Sequence, residues 1–145
     1  MRVLVQRCIN ASVTVDNEVV GKIDNGLLLL VGFTSVLDKN VIDYMVDKII
    51  NLRIFDDDNG VMNKSLLDVH GSILSVSQFT LYADTSRGRR PSYVNALSGD
   101  KAIVLYNDFN AKLREKNINV QMGVFGASMK VQLVNDGPVT IMLEK

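Results

Sequence analysis

The hydrophobic pattern of this chain first changes period at Asp38, and that switch limits the fold to one in which sheet and helix share a core. Before it, apolar residues come in short runs: Val3-Leu4-Val5, Ala11 to Val15, Val19-Val20 and Leu27 to Val31. Asp16-Asn17 and Asp24-Asn25-Gly26 separate these runs and are turn signals of the hairpin type. After it, Val41, Ile42, Met45, Val46, Ile49 and Ile50 recur at helical spacing as one apolar stripe, with Asp38 the expected N-cap.

Further along, Asp56-Asp57-Asp58-Asn59-Gly60 breaks the chain after Ile54-Phe55. Its composition is that of a calcium loop, but the ligand spacing is wrong and the closing bidentate Glu is missing, so it reads as a solvated turn. Ile73-Leu74-Ser75-Val76 opens a strand expected to run through Ser77 to Leu81, and a polar loop follows from Ala83 to Ser92. A second helix after Ser98-Gly99 places Ala102, Leu105, Tyr106, Phe109 and Leu113 on one face. Its last turns carry Lys112, Arg114 and Lys116, which suit the negative end of a helix dipole. Strands return around Val120 to Val124, Met129 to Val134 and Val139 to Leu143. No repeat or linker interrupts the 145 residues, which are expected to form a single domain, 1–145. The expected fold class is α+β: an antiparallel-rich, barrel-like curled sheet with two main helices packed on it.

Composition narrows the function. Sixteen basic residues balance 16 acidic ones, which argues against a protein that coats long nucleic acid non-specifically but leaves room for recognition of one RNA end by a local patch. The apolar run Leu27 to Val31 is far too short to cross a bilayer, and the start of the chain reads as a strand rather than a signal peptide. A cytoplasmic protein that does not engage a membrane is expected. Cys8 is the only cysteine and reads as a small buried hydrophobe of the first strand rather than a nucleophile beside Arg7. His70 is the only histidine, so a paired-histidine zinc site is excluded, and so is a Ser-His-Asp triad unless His70 serves it. Its place before Gly71 suits a turn. No metal and no cofactor are expected, since no phosphate-cradling or dinucleotide-binding loop is present either.

An enzyme of this composition must work with backbone dipoles, hydroxyls and groups of its substrate. Ser77-Gln78-Phe79-Thr80-Leu81 puts two hydroxyls and an amide at the end of an apolar run. Asn135-Asp136-Gly137-Pro138-Val139-Thr140 carries one of only two prolines, directly after a glycine, in a strand-like tail. Each alone reads blandly, the first as a strand end and the second as a turn. Thr80 is the natural nucleophile by residue type, yet no base in the sequence stands near it. It reads as a positioning and substrate-contact residue, with a covalent role as the alternative. Arg87, Arg89 and Arg90 form the only dense basic cluster, either a solvated loop or the place where RNA phosphates would be met.

Taken as an ordered pair, with Gly126-Ala127-Ser128-Met129 between them, the two motifs resemble those of the D-aminoacyl-tRNA deacylases, and the similarity runs over essentially the whole chain. That resemblance implies hydrolysis of the ester between a D-amino acid, or glycine, and tRNA, with L-aminoacyl-tRNA spared. It implies that the amides of Phe79 and Thr80 form an oxyanion hole while Ser77 and Gln78 bond the terminal ribose or the amino acid's carbonyl. Attack by water would be helped by the RNA's own terminal 2′-OH. Phe125, Gly126 and Met129 would line the side that takes the 3′-terminal adenosine, with Ala102 a small wall residue on the second helix. The family pattern often has an acidic residue where this chain has Ser128. The resemblance further implies a homodimer with composite sites, in which a cis Gly137-Pro138 enters the partner's site and its rigid backbone excludes one enantiomer by clash. By sequence alone that bond would be trans, since cis occurs in only ~5–6% of X–Pro bonds. A non-catalytic RNA- or DNA-binding module and a small-ester hydrolase using Thr80 are the competing readings.

Overall fold

The computed structural model describes residues 1–34 and 40–145. Among them, β1 (Arg2–Val15), β2 (Glu18–Gly32), β5 (Ser72–Ser77), β6 (Val120–Met122) and β7 (Lys130–Glu144) make one sheet in the order β6-β5-β2-β1-β7. A small separate hairpin joins β3 (Phe55–Asp56) to β4 (Met62–Lys64). The helices are α1 (Val41–Asn51) and α2 (Gly99–Glu115).

Local sequence logic explains several elements. Asp16 and Asn17 both take positive φ, 49° and 67°, which makes the two-residue hairpin turn that right-twisted strands favour. All six apolar residues of the expected stripe on α1 are buried. The expected cap Asp38 lies outside the described residues. On α2 the buried face comprises Ala102, Tyr106, Phe109, Asn110 and Leu113, with Leu105 partly buried. The acidic run is a turn between β3 and β4: the Asp57 carboxylate accepts the amides of Asn59 and Val61 at 2.9 and 3.1 Å, and Gly60 has φ 74°.

Three expectations are corrected. Asp24-Asn25-Gly26 is not a turn: β2 runs straight through it. Gly26 has φ 145°, and a Cβ there would lie 1.9 Å from the Ser72 carbonyl oxygen. The glycine is needed for the close approach of β5. Second, the sheet is mixed: antiparallel residue pairs outnumber parallel ones, but two of its four strand pairings are parallel. β1 pairs antiparallel with β2 and β7, whereas β5 pairs parallel with both β2 and β6. Each helix lies in the connection between two parallel strands, the arrangement that returns the chain to the same end of the sheet. Third, the strand expected through Ser77 to Leu81 ends at Ser77, and Phe79–Tyr82 is one turn of 3-10 helix.

Both helices pack on one face, where Val3, Val5, Leu27, Leu29, Val31 and Ile73 meet α1 and α2. A smaller cluster, with Cys8, Ala11, Val13, Ile23, Leu28, Leu74 and Val76, fills the other face. Val3 and Val5 face the helices, and this odd-numbered register ends before Asn10. There a residue at φ 52° interrupts the alternation, and Ala11 and Val13 turn to the second cluster. Burial pushes the Cys8 thiol up to about 11, so it is a neutral core side chain.

Candidate functional site

The ladder between β2 and β5 ends with the Gln78 amide donating to the Val31 carbonyl at 2.7 Å, and the chain then winds into the 3-10 turn. A turn this short leaves its opening N–H groups without partners. Among the described residues, no hydrogen bond takes the amides of Phe79 or Thr80. The turn is closed by Leu81 N to Gln78 O (3.3 Å) and Ala83 N to Thr80 O (3.0 Å). Its far end is held by Arg2, which donates to the Leu81 carbonyl at 2.8 Å and lies 4.7 Å over the Tyr82 ring.

Gly32 lets this turn sit against β2. A Cβ there would be 2.8 Å from the Gln78 carbonyl oxygen and 3.4 Å from Leu81 and Tyr82. The Thr80 hydroxyl accepts a hydrogen bond from the Gln78 side-chain amide. An amide N–H cannot take a proton, so this partner does not activate Thr80 as a nucleophile.

The end of β5 and this turn face a cleft of about 580 Å³. Ser77, Gln78, Phe79, Ala102, Phe125, Gly126 and Met129 all line it, although they come from three separate parts of the chain. Thr80 lies just beyond the lining. Tyr106, one turn along α2 from Ala102, joins the walls: its hydroxyl donates to the Ser75 carbonyl at 2.8 Å, and its ring tilts against Phe125 at 5.8 Å. Burial pushes the Tyr106 phenol above its usual value, keeping it a donor. The Gly123 amide bonds the same carbonyl at 2.9 Å. One oxygen thus ties α2, β5 and the segment before β7 together.

Gly137 and Pro138 are elsewhere. The peptide between them is cis, and both residues are exposed. They sit in a bulge of the edge strand β7: between the pairs Gln6–Thr140 and Cys8–Asn135, the four residues Asp136 to Val139 oppose the single residue Arg7 of β1. An edge position tolerates the proline's missing N–H. Six residue steps along β7 separate Gly137 from Val131 at the cleft, a span of about 20 Å in extended chain. Asn135 clamps the bulge by donating to the carbonyls of Arg7 (2.9 Å) and Val139 (3.1 Å). Thr140 and Gln6 donate back to its side-chain oxygen.

Arg7 stands behind the bulge. Its guanidinium donates to the Ile54 carbonyl at 2.7 Å, its Nε lies 2.9 Å from Asp136 Oδ2 as an ion pair, and a Cβ on Gly137 would meet it at 2.8 Å. Asp56 adds a longer contact at 3.4 Å.

Arg87, Arg89 and Arg90 are exposed on a loop whose base is closed by paired backbone bonds between Asp84 and Ser92, 2.8 and 2.9 Å. None lines the cleft. Ser128 is exposed as well. His70, at φ 50°, is a turn residue before β5, at the end of the strand opposite the cleft.

Sequence reasoning missed Gly32, Arg7 and Tyr93. Arg7 carried a signal, since it shares the inward register of Val3 and Val5. Tyr93, an aromatic just after a basic loop, carried a weaker one. Gly32 had none beyond following an apolar run.

Comparison with known proteins places these features in context. A family model described as D-Tyr-tRNA(Tyr) deacylase matches residues 4–144. The chain is 56% identical over 144 residues to a D-aminoacyl-tRNA deacylase of Listeria monocytogenes, covering 99% of this chain and 95% of that protein. With one of Brevibacillus brevis it shares 56% identity, with 99% of both chains covered. A solved structure described as c-Myc DNA Unwinding Element Binding Protein superposes with TM-score 0.94 at 40% identity, covering 100% of this chain and 99% of that one. Another, described as a probable eukaryotic D-amino acid tRNA deacylase, has TM-score 0.83, coverage of 98% and 97%, and 20% identity, a likeness of fold alone.

Proposed function

Because this chain belongs to the D-Tyr-tRNA(Tyr) deacylase family, we propose that it hydrolyses the ester linking a D-amino acid, or glycine, to tRNA and spares L-aminoacyl-tRNA. The observation that carries this reading is the cleft, where two amides of a short turn, without partners among the described residues, adjoin a small-residue and aromatic wall. An aminoacyl ester is already activated, so positioning and stabilisation of the oxyanion supply enough catalysis without a metal or a strong base. In this reading the amides of Phe79 and Thr80 meet the developing oxyanion. Ser77 and Gln78 orient the ribose and the carbonyl, and the terminal 2′-OH assists the attacking water. The 3′-terminal adenosine rests against Phe125, Gly126, Met129 and Ala102.

The chiral wall is assigned to Gly137-Pro138 of a second copy. Support comes from its exposure, its separation from the cleft of its own chain, and an edge strand that leaves Val134 and Met142 about half exposed. Long edge strands of this kind invite pairing with another chain. The same reading treats 1–145 as one deacylase domain with a curled, barrel-like sheet. Its support is that the β1–β2 hairpin bends over until a Cβ at Gly21 would lie 2.9 Å from the Met122 carbonyl of β6. No described helix is long and apolar enough to cross a membrane. A cytoplasmic site of action fits the tRNA substrate.

The direct test is release of D-tyrosine from D-Tyr-tRNA beside L-tyrosine from L-Tyr-tRNA. The D-ester is expected to be hydrolysed with the L-ester spared, and equal rates would refute the proposal. Thr80→Ala is expected to retain measurable hydrolysis, with no acyl-protein adduct on rapid quench. Trapping an ester on Thr80 by mass spectrometry would overturn the non-covalent assignment. The DNA-binding description of the 40%-identical structure favours a second reading, a nucleic-acid-binding module. It expects tight binding of DNA and no hydrolysis of either ester.

A further inference from the structure

At the mouth of the cleft two aromatic rings face outwards. Phe79 is 56% exposed and Tyr93 39% exposed, and their centroids lie 5.0 Å apart in an edge-to-face pair. Neighbouring rings left bare at the mouth of an apolar-lined cleft mark a surface that a partner covers. Tyr93 directly follows Ser92, the base of the arginine loop, so Arg89 is within about 14 Å of it along even an extended chain. The segment beyond is pinned to the core by the Leu97 amide on the Phe33 carbonyl at 3.0 Å, which holds the ring pair in place. Exposed aromatic faces next to a loop of exposed arginines match the chemistry of single-stranded nucleic acid, where bases stack and phosphates pair.

We propose that Phe79 and Tyr93 form a stacking platform for the unpaired base preceding the terminal adenosine of the RNA, with Arg87, Arg89 and Arg90 on the adjoining phosphates. The inference rests on the deacylase reading and adds a subsite to it. The charge of the neighbouring loop favours nucleic acid over a second protein copy as the occupant. A purely apolar contact would not need three arginines beside it.

The test compares two small esters, D-tyrosine on adenosine and D-tyrosine on the trinucleotide CCA. Hydrolysis of the adenosine ester tests the deacylase reading alone, and the gain with length tests the platform. The trinucleotide is expected to be favoured between about 5- and 150-fold in kcat/KM, the range for one stacked base. An abasic residue in its middle position should remove most of that gain. Tyr93→Ala should bring the ratio between the two esters towards one and Tyr93→Phe should keep it. Replacing the three arginines with glutamine should flatten the salt dependence of the trinucleotide. A ratio of one in the unaltered protein, or a ratio unchanged in Tyr93→Ala, would overturn the platform. Dissociation of a dimer by Tyr93→Ala with the ratio intact would reassign the rings to a protein contact and overturn it equally. If neither ester nor D-Tyr-tRNA is hydrolysed, the deacylase reading fails and the platform falls with it.

Discussion

Arg7→Ala is expected to lower hydrolysis of D-Tyr-tRNA by about 100-fold or more, the scale set by an ångström of misplacement at a reacting centre. Arg7 touches nothing in the cleft. Its side chain is 8% exposed, fills the space against Gly137, and holds Asp136 and the Ile54 carbonyl at once. Alanine would leave a void behind Gly137 and free Asp136, so the bulge could no longer present Gly137-Pro138 in one position. Asp136 is about half exposed, and water can take over its carboxylate. The loss of stability should therefore stay near ~1–3 kcal/mol. Activity and thermal unfolding measured on the same preparation separate the two effects. A melting shift with hydrolysis unchanged would make Arg7 a residue of the fold only.

Gly32→Ala is the second variant with a large expected effect, again about 100-fold, and here in kcat rather than KM. The new Cβ would lie 2.8 Å from the Gln78 carbonyl, a backbone atom that cannot rotate away. The turn from Phe79 to Tyr82 must then shift outwards and carry the amides of Phe79 and Thr80 with it. Displacing one oxyanion donor costs about 10²–10³ in rate. The adenosine wall, Phe125, Gly126 and Met129, comes from a different segment, so binding should change little. A raised KM with kcat intact would place the damage in the wall instead. Because Gly32 serves the cleft and Arg7 the bulge, mixing the two variants also tests composite sites. If each site joins the cleft of one subunit to the bulge of its partner, half the mixed dimers are hybrids, each with one intact site. Activity should return to roughly a quarter of the unaltered level. No recovery after exchange of subunits would mean each chain completes its own site.

What the sequence determined by itself was everything governed by neighbours along the chain. The six-residue stripe of α1, the Asp16-Asn17 turn and the acidic turn at Asp57 follow from spacing and local hydrogen bonding. The motifs Ser77 to Leu81 and Gly137-Pro138 stood out only as an ordered pair that resembles a known family, since each alone reads as a strand end or a turn. Tertiary structure decided the rest. Asp24-Asn25-Gly26 has the letters of a turn, yet Gly26 is there because the backbone of Ser72, far along the chain, comes too close for any Cβ. The parallel pairing of β5 depends on where two helical crossovers deliver it, which no local pattern encodes. Arg7 reaches Asp136 across 129 positions of sequence, and Gly32 meets Gln78 across 46. Periodicity reports which side of an element is buried, not what will lie against it. The contacts that shape this cleft and its bulge form between segments distant in sequence, so only their packing together could specify them.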